Sequence, residues 1–413
     1  MTNDHDMPTR PGSLKALSLV MLTHVSSAFC AFAVPPLAPF LQPELQISKG
    51  ELGVMISSFY AGVVLASVPG GYLADRLKAK WVMATGNTAI GVFIILVALV
   101  PSYLVTLPLM MFAGTGYALM NPVTTRVVMA WFRARRRATA MSIKQMGVTL
   151  GGVLAAALLP SIASSFSWHV ALQFAGAFTV ACGIVIVLLY RETPVAEEVR
   201  FPEGGQRGLR SVLASRQIVL VGTTSGIFSM AQCSVTGYLV LFLHEAQLLP
   251  AVTAGLSLAV AQSTGAMARI GWGFASDVFL GGKRRLALLI IGMVIVAASA
   301  MAAVLPSGIP VWGLMALSAV FGGSALGWNG VLLTLTGESS QRDMVGLSSG
   351  VVSALTFSGI VVWSPIFGSI VDQTGSFSWG WYALVLVMLC CVVLMKVALG
   401  EAPARPKAPA PSA

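Results

Sequence analysis

The sequence predicts an all-α membrane protein of about twelve transmembrane helices, set as two six-helix bundles around a central cavity. Three observations predict it. Of the 413 residues, 56% are hydrophobic and 10% charged, against roughly 25% charged in a soluble domain, and the mean hydropathy is +0.84. Apolar stretches of about 20 residues, each able to cross roughly 30 Å of hydrocarbon, follow one another along nearly the whole chain. One phrase also occurs once in each half: Gly71-Tyr72-Leu73-Ala74-Asp75-Arg76 and Gly273-Phe274-Ala275-Ser276-Asp277. Each copy closes an apolar run and is followed by cations, the mark of a duplicated transporter.

Spans are expected near 15–40, 51–75, 80–101, 104–131, 138–161 and 168–191 in the first half. In the second half they are expected near 217–243, 251–277, 284–305, 309–337, 345–371 and 378–400. Residues 1–14 form a tail, 15–191 the first bundle, 192–216 a linker, 217–400 the second bundle and 401–413 a Pro- and Ala-rich disordered tail. Helix 1 holds Pro35-Pro36 and helix 11 holds Pro365; each proline removes a backbone donor and is expected to kink its helix. Helix 2 ends in the first copy of the phrase. In helix 4, Ala118-Leu119-Met120-Asn121 echoes Ala325-Leu326-Gly327-Trp328-Asn329 of helix 10, a weaker sign of duplication. Helix 5 contains Gly147, Gly151 and Gly152, small residues that let helix backbones approach in lipid. The linker contains Pro194, Pro202, Gly204 and Gly205, which punctuate the chain between the halves. Helix 8 ends in the second copy.

The net charge is +10, and its distribution is topological. Lys and Arg fall in every second loop: Arg76, Lys78 and Lys80; Arg133, Arg135, Arg136 and Arg137; Arg191, Arg200, Arg207, Arg210 and Arg216; Lys283, Arg284 and Arg285; Arg342. The opposite loops hold Lys49. By the positive-inside rule both termini are expected in the cytoplasm, and the protein is expected in a plasma membrane, which in a prokaryote is the inner membrane. This argues against nucleic acid as a partner. The five cysteines all lie within spans and have neither metal nor disulfide spacing. No cofactor is implied. Helix 1 lacks a basic start and a cleavage site, so it reads as a retained span.

Ionisable groups inside spans carry the functional signal. At about 1.5 Å per residue, Arg269 lies roughly 12 Å above the cytoplasmic end of helix 8, Lys144 about 9 Å into helix 5 and Arg126 about 8 Å into helix 4. A cation at the bilayer centre costs of order 2.5–3.5 kcal/mol or more, so these three are expected to face the cavity. The fifteen acidic residues fall in tails, loops or span ends, leaving no fixed negative charge at depth. A mobile anion is the simplest counter-charge, and guanidinium binds planar carboxylate through a fork. Each cation has a bland alternative: Arg269 could bond helix carbonyls, Arg126 could close a gate with Glu338, and Lys144 could snorkel. Uncharged groups expected to complete the site are Asn121, Gln145, Gln262 and Asn329, with Tyr60 and Trp328 as aromatic walls beside Tyr117, Phe228, Tyr238, Phe357 and Trp363.

The residues resemble the major facilitator superfamily over essentially the whole chain. Gly71 to Lys80 is similar to that family's loop motif between helices 2 and 3, with Lys78 where a Gly is usual; in the second copy Val278 replaces the Arg. The resemblance implies that Asp75, Arg76 and Asp277 act as conformational switches. Ser58-Phe59-Tyr60 with Pro69-Gly70-Gly71, and Thr125-Arg126-Val127-Val128-Met129-Ala130-Trp131-Phe132, resemble helices 2 and 4 of its anion:cation symporters, which implies a substrate-linked Arg126. Arg269 resembles the arginine by which monocarboxylate and oxalate carriers hold their carboxylate. The pattern departs from those groups. Helix 1 has no acidic–arginine pair, helix 11 has no lysine, and Gly147-Val148-Thr149-Leu150-Gly151-Gly152 has Val where the drug antiporter signature has Pro.

The sequence therefore predicts a secondary carrier that moves a small organic anion, expected to be a carboxylate, by alternating access as a monomer in the bilayer. No nucleotide-binding loop is present, so coupling is to a proton or to an exchanged anion. His24, roughly 14 Å along helix 1, is the candidate proton carrier. The alternative is an exporter of amphipathic drugs. A sensor is disfavoured by the short linker and tail, and an enzyme by the lack of any His-x-x-Glu-His, Gly-x-Ser-x-Gly or paired-carboxylate arrangement in the spans.

Overall fold

The computed structural model describes residues 12–100, 102–132, 134–192, 211–340 and 345–398. The ends 1–11 and 399–413, linker residues 193–210, and Arg133, Arg200, Arg207, Arg210 and Arg342 lie outside the described residues. Within them, every regular element is helical. In the first half, α1 comprises Ser13–Ala31 and Val34–Leu45, followed by α2 Lys49–Arg76, α3 Ala79–Leu99, α4 Tyr103–Trp131, α5 Ala134–Ser165 and α6 Trp168–Leu189. In the second, α7 runs through Arg216–Leu241 into a π turn at Phe242–Ala246, then come α8 Ala251–Val278 and α9 Arg284–Val304. The α10 span joins Val311–Phe321 to Asn329–Ser339 through a π turn at Gly322–Leu326, followed by α11 Val345–Thr374 and α12 Phe377–Val397.

Eleven of these spans are apolar and long enough to cross a bilayer. The remaining one, α8, has 28 residues and is long enough, but its apolar run is diluted by Gln262, Ser263, Thr264, Arg269 and Asp277. A helix with that many polar groups needs protein or water around it rather than lipid.

The prolines act in two ways. In α1 the helix breaks at Phe32 and Ala33, and Pro35 and Pro36 occupy the first turn of Val34–Leu45, where missing N–H groups have no cost. In α11 the helix runs through Pro365 without a break. A proline there cannot donate to the carbonyl four residues earlier, Val361. The Ser57 hydroxyl of the other half donates to that carbonyl at 2.7 Å. The vacancy created by the proline thus becomes a contact between the bundles.

The two halves meet along two seams, α2 with α11 and α5 with α8. Along the first, from Lys49 and Gly50 downwards, Gly368 abuts Lys49, Gly53 abuts Ser364, Ser57 bonds Val361, and the Tyr60 ring stacks on Phe357 at 5.8 Å. Along the second, Gly255 abuts Ala156, Gly152 abuts Gln262, and Arg269 bonds Thr149. Towards the ends that carry the basic loops, Gly71, Gly271, Gly273, Gly337 and Gly350 have no neighbour within 4 Å of a would-be Cβ. The halves are joined at the face of Lys49, Glu245 and Asp372, where Asp372 and Ser57 bond across them.

Within the first bundle the tightest crossing is α2 on α4. A Cβ at Gly62 would fall 1.9 Å from the Met111 carbonyl oxygen, and one at Gly114 1.9 Å from that of Phe59. With no hydrophobic drive between helices in lipid, this approach supplies the packing. Gly62→Ala or Gly114→Ala is expected to destabilise the detergent-purified protein by about 1–3 kcal/mol, read as a lower thermal unfolding midpoint. Gly71→Ala, with open space around it, should leave the midpoint unchanged or slightly raised.

Candidate functional site

The sequence-predicted substrate-binding residues lie within α2, α4, α5, α8 and α10. Arg269 stands 18 residues into α8, and two features hold its side chain. The π turn in α10 widens the helix at Gly322–Leu326, and a widened turn presents carbonyls to neighbouring side chains. The Leu326 carbonyl accepts from Arg269 Nε at 3.0 Å, and the Gly323 carbonyl accepts from Trp272 Nε1 at 2.8 Å. Across the seam, Arg269 Nη1 donates to the Thr149 hydroxyl at 3.3 Å. Nη2 has no hydrogen-bond partner among the described residues, and it is not enclosed. One edge of the guanidinium thus remains free in the cavity.

The other two deep cations are placed differently. Lys144 is 2% exposed. Its ammonium donates to the Thr125 hydroxyl at 2.6 Å, the Asn121 side-chain carbonyl at 2.9 Å and the Asn121 backbone carbonyl at 3.3 Å. An ammonium has three protons, so three acceptors saturate it within its own bundle. Arg126 is also buried; its Nη1 donates to the Ala74 carbonyl and, at 2.9 Å, to the Leu77 carbonyl. Those are orphan carbonyls at the C-terminus of α2, where a cation is favoured. Its guanidinium is turned to that helix end. Glu338, considered as a gate partner for Arg126, accepts instead from Arg284 of its own half at 3.5 Å.

The uncharged candidates divide as well. Asn121 and Gln145 are exposed, and Gln145 lies one turn from Thr149 on the α5 stripe that faces α8. Gln262 is buried two turns above Arg269, against Gly152. Asn329 donates to Gln232 at 3.3 Å. Tyr60, besides stacking on Phe357, meets Phe59 edge-on at 5.4 Å. Trp328 lies in the core of the second bundle: it is 1% exposed, packs on Phe228 at 5.6 Å and donates Nε1–H to the Ala325 carbonyl at 3.0 Å. Its expected place in the cavity wall is thus not where the ring lies, because the π turn rotates that part of α10.

Thr149, outside the sequence-based site, supplies the cross-seam acceptor for Arg269, and Tyr117, one of the expected aromatic walls, packs on Phe59 at 5.6 Å. The hydroxyls of Tyr60 and Tyr117 have no partner among the described residues and are not enclosed. Tyr117 was legible only as an aromatic wall, and Thr149 had no distinguishing signal.

The remaining groups lie away from this cavity. His24 Nε2 donates to the Thr124 hydroxyl at 2.8 Å, since that hydroxyl gives its own proton to the Met120 carbonyl at 2.6 Å. His24 Nδ1 is enclosed without a partner. Asp75 is in the last turn of α2, with its side chain outside the described residues; Arg76 lies over the Tyr72 ring at 4.2 Å. Asp277 is exposed and pairs with Arg284 at 2.5 Å.

Two six-helix halves that meet along two seams, with ionisable groups between them, are the architecture of a membrane transporter. Residues 20–364 match the Major Facilitator Superfamily, and the chain belongs to it. It is 29% identical to the hexuronate transporter of Bacillus subtilis, over a stretch covering 32% of each chain. It is 23% identical to a probable galactarate/D-glucarate transporter of the same organism, over 82% of this chain and 81% of that one. Its fold matches the nucleoside transporter NupG with a TM-score of 0.79 at 14% identity, covering 93% of this chain and 100% of that one. It also matches a bacterial homolog of the human lysosomal transporter Spinster in an inward-facing, unoccupied conformation, with a TM-score of 0.75 at 16% identity, over 95% and 96% of the chains.

If Lys144 serves structure, Lys144→Met leaves its acceptors to re-pair. The expected result is a loss of about 1–3 kcal/mol in stability, measured by thermal unfolding. The KM for a transported acid should change by less than about threefold.

Proposed function

We propose that the protein is a secondary transporter of a small organic anion that anchors one carboxylate on the free edge of Arg269. The carrying observation is the unequal satisfaction of the three deep cations: Lys144 and Arg126 are bonded to their own bundle, whereas Arg269 Nη2 opens into the cavity. A guanidinium edge presents donors and no acceptor charge. Among the described residues, no buried Asp or Glu lies within reach to neutralise it. A carboxylate satisfies both the charge and the donor geometry. The relatives named for hexuronate and galactarate/D-glucarate transport support an organic acid as cargo.

With the basic loops cytoplasmic, both termini are inside a plasma membrane, and the cavity opens to the cytoplasm. Transport proceeds by rocking of the two halves about the site, so that the seams close below Arg269 as they part above it. The seam bond Arg269–Thr149 links the anchor to both halves, so the ligand is held near the pivot. An inside-negative potential opposes anion uptake by about 2.3 kcal/mol per charge per 100 mV. Accumulation therefore needs a proton, with His24 as its carrier, or exchange for an internal anion.

Arg269→Gln is expected to weaken binding of carboxylates by more than about thirtyfold while leaving the thermal unfolding midpoint of the empty protein within a few degrees. Thermal stabilisation by a panel of organic acids reads both, and unchanged stabilisation contradicts the site. Arg269→Lys should recover only part of the affinity, because an ammonium lacks the fork. For coupling, wild-type and His24→Gln proteins in liposomes should exchange anion equally under symmetric conditions. Loss of pH-gradient-driven accumulation in the variant alone assigns the proton to His24; accumulation that requires an internal anion and ignores the pH gradient assigns exchange.

A further inference from the structure

The closed face is joined by a carboxylate of one half that caps a helix of the other. α2 begins after Ser48, whose hydroxyl accepts from the Glu51 N–H at 3.1 Å while the Glu51 carboxylate accepts from the Ser48 N–H at 2.8 Å. This capping box leaves the N–H groups of Lys49 and Gly50 unused, and the first amides of a helix have no partner within it. Asp372, near the end of α11 in the second half, takes both: Oδ1 accepts from Lys49 N at 3.0 Å and Oδ2 from Gly50 N at 2.7 Å. The helix dipole favours a negative charge at that place. Around this pair, Lys49 Nζ meets Glu245 of α7 at 3.0 Å, and the Tyr238 hydroxyl donates to the Ser364 carbonyl at 2.5 Å. One turn further in, the helices are in contact, since a Cβ at Gly53 would fall 2.4 Å from the Ser364 carbonyl oxygen.

We infer that Asp372 is a latch between the bundles, holding this face shut and setting how often the carrier opens to the outside. The inference rests on the alternating-access reading above. Every outward opening must part α2 from α11, so two charge-assisted hydrogen bonds exist in the conformer seen here and are lost in the other. The carboxylate spans both halves through backbone amides rather than through a side-chain partner. Its effect therefore does not depend on the Lys49–Glu245 pair beside it.

Cys233 supplies a reporter within the chain. It is 2% exposed and borders a narrow space of about 20 Å³ beneath the latch, between Ile56, Tyr60, Gly237 and Ile360. That space admits about one water, so a thiol reagent reaches Cys233 only when the face opens. The experiment measures labelling of Cys233 by a membrane-impermeant maleimide added outside intact cells, with Cys233→Ser subtracting other sites. Asp372→Asn should raise the rate roughly 5- to 30-fold, as expected for loss of net hydrogen bonds to a charged group, and Glu245→Gln should leave it within about threefold. Gly53→Leu, which wedges the seam apart, gives the rate of an open face independently of Asp372. Fast labelling in Gly53→Leu with parental labelling in Asp372→Asn overturns the latch and leaves alternating access intact. Parental labelling in both variants overturns alternating access along this seam and the latch with it.

Discussion

Placing a cation in hydrocarbon is unfavourable by several kcal/mol unless protein groups or water satisfy it, and this constraint organises the middle of the molecule. Lys144 meets it with three acceptors from α4, and Arg126 with the carbonyls that end α2. Both charges therefore become struts inside the first bundle. Arg269 is held by two bonds at one edge, one to the π turn of α10 and one across the seam to α5, and left free at the other. A guanidinium so oriented cannot collapse onto the protein when the cavity is empty. On the proposed function it is a preorganised anion site, and the ordering entropy of the side chain has already been met by the fold.

The same seams that position Arg269 also define the motion. Small residues let α2 and α11 touch above the site, and the Ser57–Val361 bond exists because Pro365 cannot donate to Val361. Below the site, Gly71, Gly271, Gly273, Gly337 and Gly350 of the basic ends have no neighbour within 4 Å of a would-be Cβ. The proposed alternating access is a conformational equilibrium between two closures. Each state gains contacts at one face and loses them at the other, so modest differential energies suffice to shift the populations.

Much of the architecture was legible in the sequence. The span periodicity, the repeated Gly-x-x-x-Asp phrase and the alternation of basic loops all describe consequences of hydrocarbon thickness and duplication, which act on every residue in a segment. The same physics picked out Arg269, Lys144 and Arg126, because an intramembrane charge is conspicuous by itself. What it could not do was rank them. Their difference lies in whether neutral partners such as Thr125, Asn121 and the Ala74 and Leu77 carbonyls come within reach, and that is a property of helix rotation. Trp328 was misplaced for the same reason: a π turn rotates α10, and nothing in Gly322-Gly323-Ser324-Ala325-Leu326 announces it. Thr149 and Asp372 were silent, one an ordinary polar residue in a helix and the other a loop-end acid, until the second half was laid against the first.

The central claim is that charge on the cargo, rather than its apolar surface, is what the cavity recognises. The most direct measurement is thermal stabilisation of the purified wild-type protein by matched pairs of organic acids and their neutral carboxamides. Shape is held constant within each pair and the charge removed. The account predicts stabilisation by one or more acids at concentrations where their amides have no effect. Equal stabilisation by an acid and its amide, or stabilisation by amphipathic cations alone, would contradict it.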